Sequence, residues 1–230
     1  MDQQDSKRRS FLSGLGAAVA AFGAGVGAGW TRVQAQTPAP FAPTRHKDDE
    51  WLTQLPGKHR VVIDATLPGS AGAAALYAGN LLSTNKSAYG LTDKDMAIVI
   101  VMRHNATPFA FNDALWAKYG KALSSILDFT DPKTKEAPST NLYNAKGYGL
   151  ALTNLGTTIS SVTERGVVIA ICDLATHFAS NGLARATNAK ADDIYNDFKA
   201  NTLPSSRFVS AGVNAVTRAQ ELGYTLIYAG

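Results

Sequence analysis

The chain has one cysteine, Cys172, among its 230 residues. A single cysteine cannot form a disulfide within the chain, which excludes a small scaffold held together by disulfides. Charge is also sparse, because charged residues make up only 17% of the chain and the formal net charge is +4. The basic residues are scattered rather than gathered into one basic face, so the composition argues against nucleic-acid binding.

Several motifs that indicate a bound nucleotide or a hydrolase are missing. The chain has no G-x-G-x-x-G fingerprint, no Gly-Lys-Ser/Thr phosphate loop and no G-x-S-x-G nucleophile elbow. The segment Gly69-Ser70-Ala71-Gly72 is only a weak candidate for a phosphate loop. Cys172 and two histidines could bind zinc or copper, but their spacing matches no compact metal motif. We therefore predict no resident cofactor and no metal site.

The first 35 residues have the anatomy of an export signal. Arg8 and Arg9 precede an uncharged run rich in Ala and Gly over residues 11–30, and residues 33–35 offer a small-residue cleavage site. Paired arginines before a weakly apolar run are typical of the twin-arginine route. Residues 1–35 are therefore predicted to be the twin-arginine signal peptide of a periplasmic protein. A retained membrane anchor is the alternative, because about 20 apolar residues can span a bilayer.

The composition changes again after the predicted signal. Residues 36–58 contain Pro38, Pro40 and Pro43 and a cluster of mixed charges, which together predict a linker. Residues 59–230 are predicted to form the folded domain. We expect no membrane association of the protein once the signal is removed.

Strands and helices alternate through the predicted domain. Short apolar runs rich in β-branched residues predict strands over residues 60–65, 97–102, 167–172, 207–210 and 224–228. Helices are predicted over residues 71–82, 113–127, 149–165, 178–184, 191–201 and 212–222. The first three strands are apolar throughout, which is typical of strands buried on both faces. The fold class is therefore α/β, a three-layer α/β/α sandwich on a five-stranded, mainly parallel sheet.

The strand ends select the candidate site residues. Ligands of open α/β sheets bind beyond the carboxyl ends of the strands, so polar groups there are expected to share one rim. The catalytic candidates are Cys172, His104, Asp173 and His177. The binding candidates are Asp64, Gly69, Gly72, Arg103, Asn105, Thr107, Ser210 and Gly212. The polar stretch 128–147 is predicted to be a long loop, either functional or disordered.

Cys172 carries the most specific chemical hypothesis. It ends the third predicted strand and precedes a helix, whose N-terminal dipole favours the nucleophilic thiolate. His104, Asp173 or His177 would then modulate the reactivity of the Cys172 sulfur. The alternatives stay open, because free cysteine is among the most buried residue types and a histidine at a strand end is often a structural hydrogen-bonding group.

Four stretches of the domain carry a family resemblance, namely residues 59–64, 100–110, 165–172 and 208–228. The last stretch has the most specific pattern: a strand, a glycine, a helix, and then Gly-Tyr before the final strand. In these stretches the chain resembles the DsrE/DsrF-like family, which includes the YchN and TusD types of sulfur-relay protein. It is most similar to an exported subgroup with a twin-arginine signal.

The resemblance implies a fold, an assembly and a chemistry. It implies an α/β/α sandwich on a five-stranded parallel sheet, and homo-oligomers that are trimers or hexamers. Some members carry sulfur as a persulfide on a cysteine at the end of the third strand, which is the position of Cys172. A sulfur-relay protein is the partner that the resemblance implies.

Three functions remain open on the sequence alone. The first is a sulfur carrier or sulfurtransferase-like protein that uses the Cys172 thiolate. The second is a non-enzymatic module that binds a small ligand or a metal at the rim, with residues 128–147 as a lid. The third is an oligomeric subunit of an exported assembly.

Overall fold

The computed structural model describes residues 42–230, so the predicted signal peptide and residues 36–41 of the predicted linker lie outside the described residues. Within the described range, no helix combines the length and the apolar character that a membrane span requires. Five strands form one sheet: β1 His59–Ala65, β2 Met96–Met102, β3 Val168–Cys172, β4 Ser206–Val209 and β5 Thr225–Ala229. Each strand agrees with its predicted bounds to within one residue.

The helices of the described range are α1 Glu50–Gln54, α2 Pro68–Tyr89, α3 Asp113–Leu127, α4 Ile159–Thr163, α5 Asp173–Thr187, α6 Ala191–Ala200 and α7 Gly212–Glu221. Shorter 3-10 segments lie at Lys47–Asp49, Asp93–Asp95, His104–Ala110 and Gly149–Ala151. The prediction for α3 is confirmed at both ends. Its start is fixed by Asn112, whose side-chain oxygen accepts hydrogen bonds from the backbone N–H groups of Ala114 and Leu115.

All neighbouring strands pair in parallel, in the order β4-β3-β2-β1-β5. The central strand β2 is buried along its whole length, as its uninterrupted apolar sequence predicts. Helices pack on both faces of the sheet around two separate apolar clusters. The predicted α/β/α sandwich on a five-stranded parallel sheet is therefore confirmed.

The strand order decides how the helices are shared between the two faces. β1 to β4 follow one another in one direction across the sheet, and right-handed crossovers then place the helices between them on one face. The step from β4 to β5 runs the opposite way and sends α7 to the other face. We call the face with α2 to α6 the thick face and the face with α1 and α7 the thin face.

The helix predicted over residues 149–165 is wrong. The segment forms one 3-10 turn, an irregular stretch and then the short helix α4. Leu155 and Gly156 have positive φ angles of 47° and 89°, which a right-handed helix cannot contain. The apolar spacing arises from separate turns, since Ile159 is fully buried while Leu150 is 90% exposed.

Two helices extend beyond their predicted bounds. The helix predicted over residues 71–82 spans Pro68–Tyr89, and the helix predicted from residue 178 already begins at Asp173. The earlier start matters for function, because it places the first turn of α5 directly after β3.

Residues 128–147 contain no helix or strand, in agreement with the predicted loop. They are nevertheless tightly packed. The Asn141 amide nitrogen donates hydrogen bonds to the carbonyl oxygens of Phe109 and Phe111, at 2.8 and 2.9 Å. The buried Tyr143 ring packs against Phe109 with ring centroids 4.9 Å apart. This loop is therefore part of the thick-face core.

The second half of the predicted linker also contributes to the core. Trp51 and Leu52 of α1 are buried in the thin-face cluster. Arg60 of β1 donates a hydrogen bond from Nη1 to the Leu52 carbonyl oxygen at 2.7 Å. This contact fastens α1 to the start of the sheet.

Candidate functional site

An open cavity of about 360 Å³ lies at the carboxyl edge of the sheet. Residues 103–105 after β2, Cys172 at the end of β3 and residues 211–213 after β4 line it, together with side chains of α3 and α5. We call it the rim cavity. Its place follows from the strand order, because the chain leaves β3 towards the thick face and leaves β4 towards the thin face. A crevice opens between two such diverging connections.

Cys172 is the last residue of β3 and the N-cap of α5. Its Sγ accepts a hydrogen bond from the backbone N–H of Ala175, with an N···S distance of 3.4 Å. The sulfur thus replaces the oxygen that usually caps a helix. The residue is only 6% exposed, yet it lines the open rim cavity. A small molecule in the cavity would therefore reach a largely desolvated sulfur.

Arg103 lies near Cys172 and is held by Asp64. Nε and Nη2 of Arg103 each donate a hydrogen bond to one carboxylate oxygen of Asp64, both at 2.8 Å. The Asp64 hydrogen bond is the main reason that the pKa of Arg103 is raised, with smaller contributions from Tyr228 and Cys172. The guanidinium is therefore a permanent cation at the cavity, and Asp64 balances its charge.

Gly212 makes room for Arg103. A Cβ atom at position 212 would lie 2.6 Å from Cβ of Arg103 and 3.1 Å from Cγ1 of Val101. Separations near 2.6 Å are shorter than carbon atoms tolerate, so a side chain at position 212 would displace Arg103. The glycine at the start of α7 is therefore explained by close packing on this arginine.

His104 and Asn105 line the rim cavity, whereas Thr107 does not. His104 has a φ angle of 54°, in the left-handed region that few non-glycine residues adopt. Thr107 is fully buried, and its hydroxyl donates a hydrogen bond to the Met102 carbonyl oxygen at 3.3 Å. Thr107 thus secures the end of β2.

Asp173 and His177 lie on α5 but do not line the rim cavity. Asp173 accepts a hydrogen bond from the Tyr195 hydroxyl at 2.6 Å, and its other oxygen lies 3.8 Å from Nε2 of His177. The His177 ring stacks on Tyr195 with centroids 3.9 Å apart. Burial and the Asp173 hydrogen bond raise the pKa of Tyr195 to about 12. These side chains therefore join α5 to α6.

Gly69, Gly72 and Ser210 are also separate from the rim cavity. The Gly69 carbonyl oxygen accepts a hydrogen bond from the Thr153 hydroxyl at 2.7 Å. A Cβ atom on Gly72 would overlap the Tyr143 ring, so that glycine is required for packing. The Ser210 carbonyl oxygen accepts a hydrogen bond from the Leu174 N–H at 3.2 Å, which joins β4 to α5.

The apolar walls of the rim cavity were missed by sequence reasoning. Leu174 and Phe178 stand one turn apart on α5 and are 66% and 76% exposed, and Ile126 of α3 lies beside them in the lining. The four-residue spacing of Leu174 and Phe178 places them on one helix face. Starting the predicted helix at residue 173 would have revealed this face.

Within residues 42–230, no three side chains of His, Cys, Asp or Glu are grouped to hold a metal ion. No protein-family model matches the chain. A search of curated proteins finds no significant match either. The candidate site is therefore defined by its own geometry: one thiol, one paired guanidinium, a strained histidine and apolar walls.

Proposed function

We propose that the protein is a carrier of sulfane sulfur and that Cys172 is the residue that carries it. The observation that supports this most directly is the position of Cys172, at the carboxyl edge of the sheet and in the lining of an open cavity. A buried structural cysteine has no need of such a cavity. The resemblance to the DsrE/DsrF-like family adds support, because some of its members carry a persulfide at the corresponding strand end.

The chemistry of loading needs no redox partner. The Cys172 thiolate attacks the outer sulfur of a persulfide donor R–S–SH, and the S–S bond of the donor breaks as a new S–S bond forms on Cys172. The donor leaves as the thiolate R–S⁻ and takes a proton from water. The same exchange in the opposite direction delivers the sulfur to an acceptor thiolate. Arg103, whose charge Asp64 largely balances, lines the same cavity as Cys172.

The geometry supports a smaller set of assisting residues than the sequence suggested. Arg103 and His104 share the rim cavity with Cys172, whereas Asp173 and His177 are engaged with Tyr195. We therefore assign the assisting roles to Arg103 and His104. Substitution of His177 is expected to leave the loading of Cys172 unchanged.

The direct test is intact-protein mass spectrometry after incubation with inorganic polysulfide. The expected result is the addition of one sulfur atom, removable by a thiol reductant and absent from Cys172→Ser. No addition of sulfur, together with no alkylation of native Cys172 by a small maleimide, would refute the proposal.

A second candidate is a non-enzymatic module that binds a small apolar ligand. The apolar side chains of α3 and α5 in the cavity lining favour it, and the cavity volume is in the range of small-molecule sites. The residues of 128–147 do not line the cavity, so this candidate has no lid from that loop. Ligand binding that persists in Cys172→Ser, without sulfur loading of the wild type, would favour this second function.

We also propose that the protein acts in the periplasm as a homo-oligomer, with a sulfur-relay protein as its exchange partner. The paired Arg8 and Arg9 of the predicted signal support export. Leu226 and Tyr228 are exposed on β5, and they support an assembly surface there. Cell fractionation and analytical ultracentrifugation test the two statements separately.

A further inference from the structure

The lining of the rim cavity limits which sulfur compound can approach Cys172. Leu123, Ile126 and Leu127 of α3 line the cavity, together with Phe178 and Ala179 of α5. These side chains offer no hydrogen bond to a bound molecule. A polar group packed against these walls would gain no hydrogen bond from them.

The charge of the site is also close to balanced. Among the described residues that line the cavity, Arg103 is the only one with a permanent charge. Both carboxylate oxygens of Asp64 are bonded to it, so the pair presents little net charge to a ligand. A peptide thiol with several charged groups would find no set of counter-charges here.

Gly182 keeps the cavity open on the α5 side. It lies in the interior of α5, where glycine stabilises a helix less than alanine does. A Cβ atom at this position would meet only Cδ1 of Ile126, at an ordinary contact distance of 3.6 Å. Packing of the helix therefore does not require glycine, and the missing side chain leaves free space in the cavity.

We infer, on the basis of the proposed sulfur-carrier function, that the donor is a small organic persulfide R–S–SH in which R is uncharged and apolar. R lies between α3 and α5, and the outer sulfur faces Sγ of Cys172. Cys172 Sγ forms the new S–S bond, the donor S–S bond breaks, and R–S⁻ gains a proton from water. The neutral thiol R–SH then leaves through the cavity mouth at Leu174 and Phe178.

The test compares loading rates of the full-length protein with three donors: benzyl persulfide, glutathione persulfide and inorganic polysulfide. Each rate is measured by intact-protein mass spectrometry and divided by the rate for the same protein unfolded in urea, which removes the intrinsic reactivity of the donor. After this correction, benzyl persulfide is expected to load Cys172 at least about tenfold faster than glutathione persulfide.

Two substitutions at one position provide the matched control. Gly182→Leu fills the cavity and is expected to slow loading from benzyl persulfide about tenfold, while the smaller polysulfide still loads. Gly182→Ala is expected to load like the wild type.

Phe178→Ser tests the same apolar wall with a second variant. Phe178 is 76% exposed, so its replacement is not expected to disturb folding. It is expected to slow benzyl persulfide and to spare polysulfide.

The outcomes separate the two proposals. Equal corrected rates for benzyl and glutathione persulfides, or no effect of Gly182→Leu and Phe178→Ser, would overturn the inference about the donor while leaving Cys172 as a sulfur carrier. Failure of all three donors to load Cys172 would overturn the carrier function itself, and with it the donor class.

Discussion

The two faces of the sheet differ in what covers them. Within residues 42–230, the thick face carries α2 to α6 and the packed loop 128–147, whereas the thin face carries only α1 and α7. The β2 sequence matches this difference, since its larger side chains point to the thick face and its smaller ones to the thin face. The larger set is Met96, Ile98, Ile100 and Met102, and the smaller set is Ala97, Val99 and Val101.

The strand order explains both the unequal covering of the two faces and the position of the rim cavity. One reversal of direction, between β4 and β5, leaves a single crossover helix on the thin face. The same reversal opens the crevice in which Cys172 lies. We therefore expect stability to be determined mainly by the thick face, and the following substitutions test this expectation in order of expected effect.

The largest effect is expected from Trp116→Ala in the thick-face core. Trp116 is fully buried, and its indole N–H donates a hydrogen bond to the Pro108 carbonyl oxygen at 3.1 Å. Removing it is expected to cost about 4 kcal/mol of unfolding free energy in urea titrations. Trp51→Ala on the thin face should cost less, because the five-residue α1 can collapse into the space. Equal losses would show that the two faces contribute alike.

A smaller loss is expected from Gly72→Ala in α2. The new methyl group would overlap the Tyr143 ring, and overpacking of this kind typically costs about 1–3 kcal/mol. Gly182→Ala is the matched control, because its methyl group has room and should stabilise α5. Urea midpoints of the two variants should therefore shift in opposite directions, and a shift of both in the same direction would contradict the packing argument.

A pH-dependent effect is expected from Asp93→Asn between α2 and β2. Asp93 accepts two hydrogen bonds from Arg165, which lower the pKa of Asp93 in the folded state. The stabilisation is therefore present above the unfolded pKa and is lost as pH falls through the folded pKa. Urea midpoints should be lower for the variant near neutral pH and equal to wild type in strong acid.

The thin face provides the control for this ion pair. Glu221 pairs with Arg218 on the exposed side of α7, at 2.7 Å. This pair is about as exposed as the Asp93–Arg165 pair, but it joins two residues of one helix through a single hydrogen bond. Pairs of this kind contribute little, so Glu221→Gln should change the urea midpoint less than Asp93→Asn does. A pH dependence of the difference between wild type and Glu221→Gln would show that the thin-face pair is stabilising.

The smallest effect on stability is expected from Leu226→Asn on β5. Leu226 is exposed, so the unfolding free energy should stay within about 0.5 kcal/mol of wild type. If the proposed assembly uses this surface, the sedimentation coefficient should fall. Leu150→Asn changes a more exposed leucine elsewhere and should leave the sedimentation coefficient unaltered.

Much of the fold could be predicted because burial on both faces produces uninterrupted apolar strands such as β2. α3 was predictable because Asn112 is a strong local cap. The error at residues 149–165 has a physical cause, since Leu155 adopts a left-handed conformation that its side chain does not reveal. Tertiary packing of the loop there overrides helical spacing.

The candidate site was predictable only in part. The strand-end rule grouped Arg103, His104 and Cys172, and all three line one cavity because parallel strands bring their carboxyl ends together. The same rule included Asp173 and His177, which are drawn towards Tyr195 on α6. That contact depends on how α5 and α6 pack, and no local pattern encodes it, whereas the four-residue spacing of Leu174 and Phe178 is a local signal of the apolar wall.

The pairing of β5 with β1 has a consequence for biosynthesis. Thr225 lies opposite Val61, so the open edge of β1 is covered by β5, which is synthesised after the other four strands of the sheet. Until residues 225–229 have left the ribosome, β1 exposes an unpaired row of backbone groups that invites aggregation. Nascent chains stalled before residue 225 should therefore need a holding chaperone, and emergence of residues 225–229 should make them resistant to protease.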